Sequence, residues 1–233
     1  MSKVRRLLFM TGNLGKLAEA QQVLGPHGYQ VSQFLIDGKN PEILEPQSES
    51  LKVVAKEKLR QAREILSSLG RGDEAVLVED SGLFIDCLGG FPGVYSSHAL
   101  ATIGYSGILQ LMQGIGDRPT DAESSSESIG RGRRANFQAV AALWEGEQTY
   151  FGVGTCLGRI SLAAIEGNGF GFDPIFIPDD LDKDGQPIPS GEIGAVSTGG
   201  IPFGGVEMSE KQKFSHRKKA LEALSLAIGP PSA

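Results

Sequence analysis

The chain has 233 residues, of which 40% are hydrophobic and 21% charged, so a disordered or fibrous protein is excluded. This length suits one large α/β domain or two small lobes. The net charge of −6 argues against broad binding to nucleic acid or to a membrane surface, because both require a cationic face.

The first third of the chain alternates between predicted strands and helices. In chain order the patterns predict a strand at 4–10, a helix at 14–25 capped by Asn13, a strand at 29–36, a helix at 50–69 and a strand at 75–80. This alternation is typical of a largely parallel sheet with helices packed on it.

The remainder of the chain is less regular. We expect a glycine- and proline-rich loop at 89–97, a short helix at 107–112 and a low-complexity loop at about 117–134. A β-hairpin is predicted around Glu145-Gly146-Glu147, followed by a long surface insertion at about 179–206 and a final helix at 215–228. No internal repeat divides the chain, so we expect one domain over 1–233, with two lobes.

Targeting and redox signals are weak. The two cysteines, Cys87 and Cys156, lack the spacing of a zinc site or a disulfide framework. The apolar run LLFM near the N-terminus is too short for a signal peptide, and no run approaches the ~20 apolar residues of a membrane span. We therefore expect a cytoplasmic protein without membrane contact.

The turn TGNLGK at 11–16 joins the first strand to the first helix. Backbone N–H groups at the start of a helix bind anions, and Thr11, Asn13 and Lys16 add donors and positive charge. Leu17 follows the lysine where a Walker A loop requires Ser or Thr. The turn therefore predicts phosphate binding, with an ordinary capped turn and a surface lysine as the alternative.

The segment EDSG at 79–82 places two adjacent carboxylates where a buried strand should emerge. Ligands collect at the carboxyl ends of strands in open α/β sheets, and carboxylates there can hold Mg²⁺. Because side chains alternate along a strand, Glu79 and Asp80 cannot both face one site unless the strand ends between them. We expect one of them to be a metal ligand; a solvated turn with a helix cap is the alternative.

Lys58 lies on the apolar stripe of the long predicted helix, four residues after Val54 and three after Ala55. A lysine head in that position must either extend to solvent or meet an anion. Glu45, just before this helix, could reach the same region and act as a second metal ligand. The alternative is an ordinary loop glutamate without such a role.

Two further segments suggest recognition of a base. GNGFGFDPIF at 167–176 combines glycines with Phe170, Phe172 and Asp173, and aromatic faces stack on bases while a carboxylate contacts ring edges. SHR at 215–217 opens the last helix, where cations oppose the macrodipole unless an anion is bound. A hydrophobic turn and a surface His-Arg pair are the alternatives.

Five motifs in this order, TGNLGK, EDSGL, GGFPGVYS, GFGFDPIF and EKQKFSHRKKA, resemble the inosine/xanthosine triphosphate pyrophosphatase family over about residues 4–228. The resemblance implies an α/β fold with an elongated central mixed β-sheet flanked by helices and two lobes with an active-site cleft between them, usually as a homodimer. It implies Mg²⁺-dependent hydrolysis of a non-standard purine nucleoside triphosphate (ITP, dITP or XTP) to the monophosphate and pyrophosphate.

The resemblance also assigns residue roles. The metal would be held by Glu45 and Asp80, and Asp80 would be the base for the attacking water. The triphosphate and the purine would be bound by Thr11, Gly12, Asn13, Leu14, Gly15, Lys16, Lys58 and Ser81, and by Phe170, Gly171, Phe172, Asp173, Lys211, His216 and Arg217.

Three departures from the family pattern affect these assignments. The spacing between Pro41 and Leu51 is longer than usual, so Glu42 rivals Glu45 as metal ligand. Ser97-His98 stands where the family often has arginine or lysine, and the glycine-rich insertion precedes Lys211. Two other functions stay open: a nucleotide sensor that does not hydrolyse, and an α/β phosphohydrolase acting on another substrate such as a sugar phosphate.

Overall fold

The computed structural model describes residues 5–113, 132–188 and 192–229. Within these ranges the strands and helices are β1 (Arg5–Phe9), α1 (Leu14–Leu24), β2 (Tyr29–Gln33), α2 (Leu51–Ser68), β3 (Ala75–Ile85), β4 (Pro92–Gly93), α3 (Ser96–Thr102), α4 (Gly104–Met112), β5 (Arg134–Glu145), β6 (Gln148–Ile160), β7 (Phe176–Pro178), α5 (Met208–Gln212) and α6 (His216–Ile228). The strands pair in the order β2-β1-β3-β5-β6-β7, with β4 on β3. Because β1 is parallel to β2 and β3 while β7 is antiparallel to β6, the predicted mixed sheet of an α/β fold is confirmed.

The chain divides into two compact units. The first unit comprises the described parts of Met1–Ser81, Gln138–Thr155 and His216–Ala233, and the second those of Gly82–Phe137 and Cys156–Ser215. Each unit has its own hydrophobic core.

The core of the first unit lies between one face of the sheet and the helices α1 and α6. Alternate residues of the strands point into it, as the period of two requires. Its buried members are Leu7, Phe9, Ala20, Leu24, Tyr29, Val31, Ala75, Leu77, Ala139, Ala141, Leu143, Ala220, Leu221 and Leu224. The predicted inward positions of the last helix, Leu221, Leu224 and Ile228, are confirmed.

Helix α6 lies against β6 at two glycines. A Cβ on Gly154 would lie 2.0 Å from the carbonyl oxygen of His216, and one on Gly152 would lie 2.1 Å from that of Ala220. Both neighbours are helix backbone, which cannot move aside as a side chain can. The glycines therefore fix where the first turn of α6 sits on the sheet.

Strand β3 continues past the point where it was expected to end. The carboxylates Glu79 and Asp80 lie within the strand, which runs to Ile85. Beyond them Leu83 and Phe84 pair with β4, and a Cβ on Gly82 would lie 2.1 Å from the carbonyl oxygen of Gly93. The expectation of a strand tip was wrong because this glycine permits close pairing and does not mark a turn.

The second unit has an aromatic core around Phe172, Phe176, Phe203 and Phe214. Leu181 and Phe203, near the two ends of the expected surface insertion at about 179–206, are 5% and 3% exposed in this core, whereas most of the described residues between them are exposed or half-buried. The segment is irregular, yet it supplies apolar side chains to the interior and is anchored by backbone hydrogen bonds between Leu181 and Val196.

Several boundaries also differ from expectation. Residues 89–97 include the two-residue strand β4 and the start of α3, and the next helix begins at Gly104. Strand β2 ends at Gln33, and the short helix α5 was not predicted. Most of the predicted low-complexity loop lies outside the described residues, while Arg134 already belongs to β5. The hairpin at Gly146 is confirmed.

Among the described residues, no helix has both the length and the apolar character required to cross a membrane.

Candidate active site

The turn between β1 and α1 is a capped helix start. Asn13 is the N-cap as predicted, and its Oδ1 accepts hydrogen bonds from the backbone N–H groups of Gly15 and Lys16 at 2.8 and 3.2 Å. Thr11 Oγ1 accepts the N–H of Asn13 at 3.1 Å. Gly12, Leu14 and Gly15 are exposed, so the turn presents its backbone to solvent at the positive end of α1.

Glu79 binds two cations from different helices. Its side chain is fully buried, and its Oε2 lies 2.5 Å from Lys16 Nζ and 3.5 Å from Arg217 Nε. Arg217 also donates a hydrogen bond to Glu19 Oε2 at 3.3 Å. Lys16 is in the first turn of α1 and Arg217 in the first turn of α6, so Glu79 supplies the negative charge that two helix starts bearing cations require.

The charges of this cluster favour ionised groups despite burial. Burial by itself raises the pKa of Glu79, but Lys16 and Arg217 outweigh it and lower this pKa to about 2. Burial likewise opposes the charge on Arg217, yet Glu79 and Glu19 raise its pKa. At neutral pH the cluster is therefore an ion pair network.

Lys58 joins two carboxylates on the other face of β3. Its Nζ lies 2.8 Å from Asp80 Oδ1 and 2.6 Å from Glu45 Oε1. Of the two outcomes predicted for this lysine on the apolar stripe of α2, contact with anions is therefore the one that the structure shows. Its side chain and that of Asp80 are 11% and 15% exposed, whereas Glu45 is 64% exposed.

The pKa values in this second cluster are raised. For Asp80 the largest cause is burial, which raises its pKa more than Lys58 and Lys16 lower it. For Lys58, burial acts against the charged form, but Asp80 and then Glu45 raise its pKa overall.

Glu45 and Asp80 also fit a divalent cation. Both direct an oxygen at one positively charged group, the ammonium of Lys58, so the position is already one that attracts cations. No cluster of three or more Asp, Glu, His or Cys side chains suited to a metal occurs in the described ranges. A cation held here would use one or two carboxylates and several waters, which is the coordination that Mg²⁺ prefers.

Gln61 holds the loop that carries Glu45. Its side-chain amide accepts the N–H of Leu44 at 2.9 Å and donates to the Leu44 carbonyl oxygen at 2.8 Å. Gln61 is one turn beyond Lys58 on α2, so the same helix fixes both the lysine and the loop it contacts. Glu42, the rival metal ligand, lines a surface hollow together with Leu44 and Gln61.

In the second unit, Asp173 organises the glycine-rich turn. Its Oδ2 accepts the N–H of Phe170 at 2.7 Å and the ammonium of Lys211 at 2.5 Å. A Cβ on Gly169, which has φ of 95°, would lie 2.5 Å from this same oxygen. The glycine therefore permits the carboxylate to close the turn.

Phe170 is the exposed ring of this turn, and Lys211 of α5 lies over it. The Phe170 side chain is 57% exposed, and Lys211 Nζ lies 4.3 Å from the centroid of its ring. Phe172, by contrast, is 4% exposed and packs in the core, and Gly171 has φ of 68°. Phe170 is therefore the ring whose face is available for stacking on a base.

Each unit thus brings together part of the predicted site. The first contains Thr11 to Lys16, Glu45, Lys58, Asp80, Ser81, His216 and Arg217, and the second contains Phe170 to Asp173 and Lys211. Sequence reasoning missed the contacts of Glu79 with Lys16 and Arg217 and the anchoring role of Gln61. The alternation of side chains along β3 could have indicated the Glu79 contacts, because Ala75 and Leu77 face the core and Glu79 follows at the same two-residue spacing. No sequence signal indicated the role of Gln61.

A family model described as the Ham1 family matches residues 7–227. The chain belongs to the Ham1 family. The resemblance found in the five sequence motifs is thereby confirmed.

Named relatives and a solved structure support the Ham1 assignment over more than nine tenths of the chain. The dITP/XTP pyrophosphatase of Methanopyrus kandleri is 38% identical over 218 residues, 93% of each chain. The enzyme of the same name from Thermococcus kodakarensis is 35% identical over 216 residues, again 93% of each chain. A solved HAM1 protein from Coxiella burnetii is similar at a TM-score of 0.68 and 24% identity, covering 96% of this chain and 98% of that one, which shows the Ham1 fold.

Proposed function

We propose that this protein hydrolyses non-standard purine nucleoside triphosphates, ITP, dITP and XTP, to the monophosphate and pyrophosphate with Mg²⁺. Two relatives that are 35% and 38% identical are named dITP/XTP pyrophosphatases, which supports this substrate class. The clusters around Lys16, Lys58 and Asp80 supply groups that such a reaction needs.

The triphosphate is bound by the turn between β1 and α1. The backbone of residues 11–16 is exposed at a helix start, and Asn13 uses its oxygen for the cap, which leaves its amide nitrogen as a donor for phosphate. Lys16 and Lys58 add positive charge, and Ser81, next to Asp80 in β3, adds a hydroxyl. In a protein with a net charge of −6, these lysines provide the local attraction for an anionic substrate.

The reaction is an in-line attack of water on the α-phosphorus. Asp80 accepts a proton from the water, the water oxygen bonds to the phosphorus, and the bond from phosphorus to the bridging oxygen breaks so that pyrophosphate leaves. Lys58 holds the Asp80 carboxylate in a fixed orientation at 2.8 Å. Glu45 and Asp80 would hold Mg²⁺, which would neutralise phosphate charge and position the water.

Each unit carries residues suited to a purine: the second unit has the turn at Phe170, and the first unit has the first turn of α6. Phe170 offers a ring face, while Gly171, Phe172 and Asp173 shape its turn. Lys211, His216 and Arg217 are donors suited to the 6-oxo edge that distinguishes hypoxanthine and xanthine from adenine. A site that donates to an oxo group is left with unpaired groups when an amino group enters, so discrimination against ATP is strong.

The observation that carries this proposal is Lys58 between Asp80 and Glu45, because pure nucleotide binding needs no such poised carboxylate. The test is release of pyrophosphate from ITP and from ATP, with Mg²⁺ and with a chelator. We expect Mg²⁺-dependent release with kcat/KM for ITP more than about tenfold above that for ATP. Equal values would refute base selection, and binding of ITP without release would indicate a nucleotide sensor.

The resemblance favours a dimer, and the negative charge argues against nucleic-acid binding. We propose a homodimer in the cytoplasm that binds no nucleic acid, in keeping with the net charge of −6. Light scattering of the purified protein tests the dimer directly, and a monomer across the working concentration range would contradict it.

A further inference from the structure

We propose that Glu79 is a positioning residue that couples Lys16 to Arg217, so that the affinity for the triphosphate and the affinity for the purine depend on each other. This inference rests on the proposed function, because Lys16 and Arg217 are there assigned to phosphate and to base. Glu79 itself is given no direct contact with the substrate.

The coupling follows from one oxygen serving two cations. Both Lys16 Nζ and Arg217 Nε approach Oε2 of Glu79, at 2.5 and 3.5 Å. Neither Oε1 nor Oε2 of Glu79 has a hydrogen-bond partner of good geometry among the described residues, so the contacts of Oε2 with the two cations are ion pairs. A cation that withdraws from Glu79 therefore leaves the carboxylate entirely to the other, which it then binds more strongly.

Burial makes this exchange significant. The Glu79 side chain is fully buried, that of Arg217 is 9% exposed and that of Lys16 is 20% exposed. Solvent screens such charges far less than exposed ones, and a buried carboxylate that loses a partner is strongly disfavoured. Because Lys16 is the more exposed cation, it is the one that can turn from Glu79 towards a phosphate while Arg217 keeps the carboxylate neutralised.

The prediction concerns a ligand that has no base. Inorganic tripolyphosphate, with a chelator present to remove metal, probes only the phosphate-binding residues. In Arg217→Lys a methylene group replaces the Nε that contacts Glu79, so Glu79 binds Lys16 more strongly, and we expect the affinity for tripolyphosphate to fall about fivefold. In Glu79→Gln the same Arg217→Lys change should alter this affinity less than about twofold, since the coupling group is gone.

A matched control separates coupling from general loss of a carboxylate. Glu145 also binds two donors through one oxygen, Arg5 at 2.9 Å and Tyr29 at 2.7 Å, at the opposite end of β1 from Thr11. In a Glu145→Gln background we expect Arg217→Lys to keep its full effect on tripolyphosphate affinity. Calorimetry measures each affinity, and circular dichroism checks that each variant is folded.

If Glu79→Gln fails to fold, Lys16→Met serves as the background variant in its place. Arg217 can then no longer act through Lys16, so Arg217→Lys should again have no effect on tripolyphosphate affinity. An Arg217→Lys effect that persists in either background means direct contact with phosphate and overturns the coupling. No effect in the unaltered background also overturns it. Turnover of ITP is measured in parallel: if it is absent while the tripolyphosphate results hold, the proposed function fails and the coupling stands.

Discussion

Glu79 and Asp80 are adjacent in β3, and their side chains leave the strand on opposite faces. Glu79 contacts Lys16 and Arg217 on the face that packs against α1 and α6, whereas Asp80 contacts Lys58 of α2. Two carboxylates in a buried strand are tolerated because each has its own cations. The pair therefore divides into Glu79, which is fully buried between two cations, and Asp80, whose side chain is 15% exposed beside Lys58.

Asp80→Asn should remove most of the turnover and keep the fold. The amide has nearly the same shape but cannot accept the proton of the attacking water, so we expect kcat for ITP to fall at least about 100-fold. Pyrophosphate release measures the rate, and a thermal melt checks the fold. Asp73→Asn, an exposed aspartate before β3, is the matched control. Near-full activity of Asp80→Asn would remove Asp80 from the mechanism.

Gln61→Leu should loosen the loop that carries Glu45. Leucine cannot make the two hydrogen bonds to Leu44, so Glu45 is held less firmly at Lys58. We expect the Mg²⁺ concentration for half-maximal activity to rise about fivefold, a loss of about 1 kcal/mol, which two exposed hydrogen bonds of about 0.5 kcal/mol each account for, with kcat at saturating Mg²⁺ nearly unchanged. Gln110→Leu, at an exposed position of α4, should leave the Mg²⁺ titration as it is. An unchanged titration in Gln61→Leu would mean that Glu45 needs no such anchor.

Phe170→Ala should weaken nucleotide binding without unfolding the protein. Loss of a stacked ring costs about 1–3 kcal/mol of binding, so KM for ITP should rise at least about fivefold. Stability should change little because the ring is 57% exposed. Leu162→Ala, in the same unit and 69% exposed, serves as the control. If both variants bind ITP alike, the base does not stack on Phe170.

Gly154→Ala should destabilise the first unit. The new Cβ would lie 2.0 Å from the carbonyl oxygen of His216 and 2.4 Å from the N–H nitrogen of Ala220, so α6 must shift. Overpacking costs about 1–3 kcal/mol, which lowers Tm by several degrees in a chain of this size, and the shift of His216 and Arg217 should raise KM for ITP. Gly25→Ala, where nothing lies within 4 Å, should leave Tm the same or slightly higher. Equal melting temperatures of the two variants would contradict close packing at β6.

Tyr29 should make stability depend on alkaline pH. Burial, and then its hydrogen bond to Glu145, raise the pKa of Tyr29 above its usual value of 10.0. A raised pKa in the folded state means that the stabilisation is fully present below about pH 10 and is lost as the pH rises towards the folded pKa. Urea unfolding should therefore show the advantage of the unaltered protein over Tyr29→Phe at about pH 8 and its decline above about pH 10. An advantage that stays constant over that range would contradict the assignment.

Local signals were sufficient for much of the fold. The cap at Asn13 and the hairpin at Gly146 follow from side chains within a few residues. The 3.6-residue period of α2 placed Lys58 on the apolar stripe but left open whether it meets an anion or solvent; the structure shows an anion. The end of β3 was misplaced because Gly82 was interpreted by its usual role in turns. Here it admits the backbone of Gly93, which lies far enough along the chain that no local pattern indicates the contact.

The sequence alone determined the α/β class, the order of the main elements and the residues with candidate chemistry, because hydrophobic period, caps and motif order are properties of short segments. Only the tertiary structure decided which cation neutralises which carboxylate: Lys16 and Arg217 for Glu79, and Lys58 for Asp80. Ion pairs of this kind depend on which face of the sheet each helix covers. That choice is made by the packing of apolar surfaces, and the charged residues themselves carry no signal of it.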